Sequence, residues 1–242
     1  ANGRLVWLKI GNSYDGGYIS LTELPSTIGG LTNLGMLFLD YNELVTLPEE
    51  IANIPYLIYL VLSFNNLIAL PDSIGNLSNL LWLDIGYNQV SYIPESIGDL
   101  LSLNYLWLFN NAIESLPSSI CNLDIDWSGF DATELPYFGC GGNMLCSESI
   151  PDCVINSSNF ETSLEANYYS FPINAPQDCT DECDAILGDT NGDSIINILD
   201  VVITVNEVVS GDSTAIECAA DLNGDGIINI LDIVQLVNII VE

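Results

Sequence analysis

A chain of 242 residues has room for two modest domains. Its net charge of −31, from 33 acidic and two basic residues, sets it against nucleic acid and anionic lipid surfaces. It has no histidine for acid–base or nucleophilic work and no Gly-rich phosphate loop with a lysine, so an enzyme is not expected.

Both basic residues, Arg4 and Lys9, precede residue 10. Mean hydropathy is nevertheless positive, at +0.36. The uncharged surface must therefore be rich in amides, hydroxyls and apolar groups, which suits a protein that associates. A saline habitat, an acidic habitat, or resistance to proteases that cut after Lys or Arg would each account for the acidity. No apolar run is long enough to span a bilayer, and the chain reads as a mature exported protein whose leader has been removed.

The first pattern along the chain is a repeat. Leu24-Pro25, Leu47-Pro48, Leu70-Pro71, Ile93-Pro94 and Leu116-Pro117 recur every 23 residues. Between them runs L-x-x-L-x-L-x-x-N-x-L, as in Leu57, Leu60, Leu62, Asn65 and Leu67. Leu5, Leu8 and Ile10 start an irregular earlier copy, broken by the Tyr14–Tyr18 segment. L-x-L predicts a short strand whose leucines enter the core while the x residues face the other way. The Asn side chain is suited to backbone groups left open where the chain turns. No such unit buries its core alone, so stacking supplies the stability and the ends need caps.

These motifs resemble the leucine-rich-repeat family over residues 5–138. The resemblance implies an α/β solenoid with short parallel strands on its concave face. That face is expected to carry Trp7, Phe38, Tyr59, Trp82, Tyr105, Trp107 and Phe109, among Lys9, Met36, Asp40, Val61, Ser63 and Asp84. So many aromatic residues on an open sheet predict a partner-binding site. Cover by a neighbouring segment of the same chain, or a stacking platform for sugars using Trp82 and Trp107, are the other readings. Tyr41, Phe64 and Tyr87, just before the Asn positions, read as packing residues.

Seven cysteines point to an oxidising compartment. Cys121, Cys140, Cys146 and Cys153 cluster where the repeats end; Cys179, Cys183 and Cys218 follow. The first cluster resembles the cysteine-bearing caps of secreted leucine-rich-repeat proteins. We expect Cys146–Cys153, Cys121–Cys140 and Cys183–Cys218 pairs, with one cysteine left over. Residues 156–180 lack the repeat and carry Pro172 and Pro176, as a linker would; Tyr168, Tyr169 and Phe171 argue that it is not a free tether.

Two twelve-residue loops follow. The first places Asp189, Asn191, Asp193, Asn197 and Asp200 at positions 1, 3, 5, 9 and 12, with the Ile195 carbonyl at 7. The second, 32 residues on, repeats this with Asp221, Asn223, Asp225, Asn229 and Asp232, and Ile227 at 7. Oxygen donors at this spacing wrap a hard cation, so two calcium ions are expected. Position 6 favours glycine; it is Ser194 in the first loop and Gly226 in the second, which makes the first the weaker site. Each loop runs into an apolar helical pattern.

A duplicated loop–helix unit with Asp at position 12 resembles the type I dockerin domain. The resemblance implies calcium-dependent docking onto a cohesin-like domain outside the cell. It places the contact at positions 10 and 11, here Ile198-Leu199 and Ile230-Leu231. Their identity in both halves would permit two docking orientations. Basic helix residues usual in cellulosomal dockerins are missing.

The expected organisation is a solenoid over 1–155 with its cap at 116–155, a linker over 156–180, and a small α-helical dockerin-like domain over 181–242. The expected function is non-enzymatic. It is secreted or cell-surface interaction, with a cohesin-like receptor or other copies of the chain as partner, the latter building an oligomer or filament. The alternative is an accessory carbohydrate-binding protein of a surface polysaccharide-degrading assembly.

Overall fold

A computed structural model describes residues 6–10, 20–146, 150–166, 171–179, 186–210, 217–223 and 228–241, without the side chains of 207, 210, 217 and 218. Two compact units divide the chain, Ala1–Asp178 and Cys179–Glu242.

The first unit is a leucine-rich solenoid. Its strands are β1 (Trp7–Lys9), β2 (Met36–Phe38), β3 (Tyr59–Val61), β4 (Trp82–Asp84), β5 (Tyr105–Trp107) and β6 (Phe138–Gly139). They form one parallel sheet in chain order. Leu8, Leu37, Leu60, Leu83, Leu106 and Phe138 pair in register across it. Period-2 alternation sends that row and the Leu39, Leu62, Ile85 and Leu108 row into the core. The return side is made of 3-10 turns, four of them begun directly after Pro25, Pro48, Pro94 and Pro117 and the third after Ser73, with Ile28, Ile51, Ile74, Ile97 and Ile120 pointing inward.

An asparagine ladder ties the turns together. Asn65 Nδ2 donates to Leu39 O at 2.8 Å and Leu62 O at 2.9 Å, while its Oδ1 accepts from Leu44 N at 3.0 Å. Asn42, Asn88 and Asn111 repeat this pattern. The last rung is Asn143, bonded to Leu108 O, Cys140 O and Ile113 N. Phe138-x-Cys140-x-x-Asn143-x-Leu145 is thus a sixth copy of the motif, with Phe and Cys at leucine positions.

That register corrects the expected disulfides. Cys140 occupies a core position; it is fully buried and free, and burial raises its thiol pKa well above the ordinary value. A Cys121–Cys140 bond is therefore excluded. Cys121 lies on the last 3-10 turn (Ser118–Asn122), against which helix α1 (Asp152–Ile155) packs, and it bonds Cys153 with a Cα–Cα distance of 5.7 Å. Cys146–Cys153 is excluded in turn, and Cys146 and Cys179 are each disulfide-bonded. The Cys183–Cys218 pair lies outside the described residues.

Strands β7 (Thr162–Leu164) and β8 (Pro172–Asn174) form an antiparallel hairpin within the first unit, in the stretch expected to be a linker. The second unit holds α2 (Ile198–Ser210), α3 (Glu217–Ala220) and α4 (Ile230–Val241), with α2 packed against α4. Among the described residues no helix is long and apolar enough to cross a membrane.

Candidate docking surfaces and calcium loops

The concave sheet face is covered at one end by the protein itself. Residues 131–137, inserted before β6, reach over it: Trp107 Nε1 donates to Pro136 O at 2.8 Å, and the Tyr105 hydroxyl to Asp131 at 2.9 Å. The β7 segment adds Leu164, buried with Trp107 and Phe109. Tyr87 donates its hydroxyl to Leu164 O at 2.7 Å, and Asn110 bonds Ser163. Trp107 is 2% exposed and Phe109 0%, so neither can meet a partner, contrary to expectation. Ser63 and Asp84 are buried too, Asp84 accepting from Gly86 N. Trp82 and Tyr105 are half-buried, and the exposed side chains lie on β1 and β2. Trp7 is 52% exposed and Met36 38%, beside half-buried Phe38, Tyr59 and Val61 and a Lys9–Asp40 ion pair at 3.6 Å.

The covering loop leaves an electrostatic mark. Burial raises the Tyr105 phenol well above its ordinary value, and the hydrogen bond to Asp131 adds to this. Burial alone would raise the Asp131 carboxyl, but hydrogen bonds from Thr133, Leu135 and Tyr105 bring it below its ordinary value.

Ring stacking further defines the solenoid surface. Tyr41, Phe64 and Tyr87 hold left-handed backbone angles of 57°, 55° and 55° and stack successively at 4.3 and 4.4 Å. Trp82 stacks on Tyr105 at 4.0 Å. Trp107 is interior. The Trp82–Trp107 sugar platform therefore loses its geometric basis.

In the second unit each loop is organised from its ends. Asp189, at position 1, accepts from Asp193 N and Ser194 N at 3.1 and 2.7 Å. Asp200, at position 12, accepts from Asn191 N and Asn197 N at 3.2 and 2.8 Å. Asp232 repeats this with Asn223 N and Asn229 N at 3.2 and 2.9 Å. Asn197 and Asn229 then cap α2 and α4, each accepting from the N–H two residues on at 2.8 Å. Asp225 and Ile227 lie outside the described residues. Among those described, no three acidic or Cys side chains converge as a metal-holding group.

The residues themselves fit calcium. Asp200 and Asp232 are 0% exposed, and the chain contains no Lys, Arg or His after residue 9. Buried carboxylates without a counter-charge are costly. Backbone hydrogen bonds compensate them in part, the only counter-charge open to them is an ion from solution, and donors made wholly of carboxylate, amide and carbonyl oxygen select a hard one.

Beyond the loops, α2 and α4 turn apolar side chains to solvent. Val201 and Leu236 are buried, while Ile198, Leu199, Val202, Ile230, Leu231 and Val234 are 51–62% exposed. The positions expected to dock are thus at the surface in both halves.

This combination of repeats and paired loops defines a class: an interaction solenoid joined to a docking module. Comparison with known proteins gives the same two parts. Residues 55–113 match the leucine-rich-repeat family and residues 187–241 the type I dockerin domain. The chain carries both modules, which are non-catalytic and mediate protein–protein interaction. No curated protein matches the sequence. Among solved structures, the chain is similar to a leucine-rich-repeat protein of Leptospira interrogans, with 28% identity over 62% of this chain and 41% of that one and a TM-score of 0.45. It is also similar to an internalin of Listeria monocytogenes, with 23% identity over 55% and 37% and a TM-score of 0.39. The matched part thus spans less than half the length of either.

Proposed function

We propose that this is a non-catalytic extracellular adaptor. Its C-terminal unit, loaded with two calcium ions, docks onto a cohesin-type domain, and the open β1–β3 end of its solenoid takes a second protein. The observation that carries this reading is the junction of each oxygen-only loop with a solvent-facing apolar pair, Ile198-Leu199 and Ile230-Leu231. Asp189, Asn191, Asp193, Asn197 and Asp200, with the Ile195 carbonyl, would hold one ion; Asp221, Asn223, Asp225, Asn229 and Asp232, with the Ile227 carbonyl, the other. Calcium supplies fixed positive charge there and no reaction. Disulfide-bonded Cys121, Cys146, Cys153 and Cys179 support an oxidising, extracellular setting.

On the solenoid, Trp7, Phe38 and Tyr59 would anchor the second partner, because aromatic residues dominate such contacts. The docking reading is tested by titrating the full chain onto immobilised type I cohesin modules in calcium and in chelator. Binding in calcium that is lost in chelator, and lost in Leu199→Asp/Leu231→Asp, is expected. Binding to no cohesin module, or binding indifferent to that double substitution, would overturn it.

A further inference from the structure

We propose that, with no cohesin-type partner bound, the docking face is closed by a second copy of this chain in an isologous pair. The inference rests on reading that face as the docking surface.

The face is larger than its two leading pairs. Ile198, Val202, Val205 and Val209 follow one another at i, i+4, i+7 and i+11, which aligns them along one side of α2. Ile230, Val234, Val237 and Val241 repeat the same stripe on α4, 32 residues on. All eight are 37–80% exposed. Exposed apolar side chains aligned in this way mark an interaction site.

Two observations point to a copy as occupant. An isologous contact needs one patch that complements itself, and duplicated stripes on packed helices supply it: α2 of one copy meets α4 of the other, and the reverse. Charge gives the second. Chains of net charge −31 repel wherever acidic surface meets acidic surface. The acidic residues of α2 and α4 are only Asp200, Glu207 and Asp232, and Asp200 and Asp232 are buried. The two stripes, which contain no acidic residue, are where two copies can touch with least opposing charge.

The pair is then held by apolar burial and opposed by long-range repulsion, so added NaCl should strengthen it. A cohesin-type domain and the second copy compete for one surface.

Sedimentation velocity on the full chain in calcium tests this at about 1–100 µM protein, in low and high NaCl. A monomer–dimer equilibrium that shifts to dimer with salt is expected. Val202→Asp/Val234→Asp should weaken it at least about tenfold, with calcium-dependent circular dichroism retained. Monomer throughout, an undiminished dimer in the double variant, or particles larger than a dimer would each overturn the proposal. Adding a type I cohesin module should replace the dimer with a one-to-one complex; a dimer that carries cohesin intact would overturn the shared face. A salt-strengthened dimer indifferent to every cohesin module would support the self-pair while removing the cohesin reading.

Discussion

The carbonyl oxygen of Ser119 lies 2.3 Å from where a β-carbon on Gly98 would stand. Successive 3-10 turns of the solenoid are in backbone contact there, and Gly29 and Gly75 make the same approach to Glu50 and Ser96. Gly98→Ala should therefore force the turns apart and destabilise the solenoid by about 1–3 kcal/mol. The equivalent position carries a side chain at Ala52 and, in the last turn, at Cys121. The 3-10 turn that follows Ala52 is cut to Ile74–Asn76, where its counterparts run five residues. All four tryptophans precede residue 179, so tryptophan fluorescence during denaturant unfolding reports this unit alone. An unchanged midpoint would mean that the turns separate without strain.

Asn65→Ala should cost about 1–3 kcal/mol, because it strands a buried backbone amide. The Leu44 amide loses its acceptor, while the Leu39 and Leu62 carbonyls each lose one donor and keep another, Asn42 and Asn88. Asn65→Asp separates shape from chemistry: the carboxylate still accepts from Leu44 but cannot donate. It should therefore be nearly as destabilising. A variant as stable as the parent would show that water replaces the side chain.

Much of this architecture was legible because one residue type does one job at a fixed interval. The leucine rows and the Asn ladder are local signals, and so are the two oxygen loops. Strand β6 was hidden for a local reason too. Phe138 and Cys140 stand where leucines are expected, and Asn143 follows Asn111 by 32 residues rather than 23. The pattern from Phe138 to Leu145 could have revealed it, and with it why Cys140 is unpaired. Cover of Trp107 by Pro136 and Leu164 had no such sign. It depends on chain segments that meet only after the repeats have stacked, and nothing in the spacing of Trp107 itself distinguishes it from Trp82.

Removing calcium should unfold the second unit and spare the first. Asp200 and Asp232 are buried in a unit without a single basic residue, so beyond their backbone hydrogen bonds a bound cation would be their only counter-charge. Chelator should abolish most of the helical dichroism of α2 and α4 while tryptophan fluorescence stays constant. Helices that persist in chelator would show that the loops fold without metal.

Ser194→Gly should tighten the first loop. Ser194 sits at φ 66°, a left-handed angle that costs a side chain about 1 kcal/mol. Its N–H is bonded to Asp189, and glycine keeps that bond while shedding the strain. A calcium titration followed by dichroism should show about fivefold higher apparent affinity at this loop. Equal or weaker binding would mean that lost chain entropy outweighs the relieved angle.

Acid should weaken the solenoid through Glu49. The Ser73 hydroxyl, chiefly, holds the Glu49 carboxyl below its ordinary value; burial works the other way, and the Ser73 and Asp72 amides add to the lowering. A carboxyl depressed in the folded state contributes stability above its unfolded value, near about 4. That contribution is lost as pH falls through the lowered folded value. Glu49→Gln removes it from the start. The melting temperature of the parent should therefore exceed that of the variant at neutral pH, and the gap should close only below the ordinary carboxylate range. Relief of repulsion among the other acidic groups shifts both proteins alike and cancels in the difference. A gap that stays constant down to the lowest pH at which both remain folded would show that Glu49 acts through hydrogen bonds its neutral form keeps.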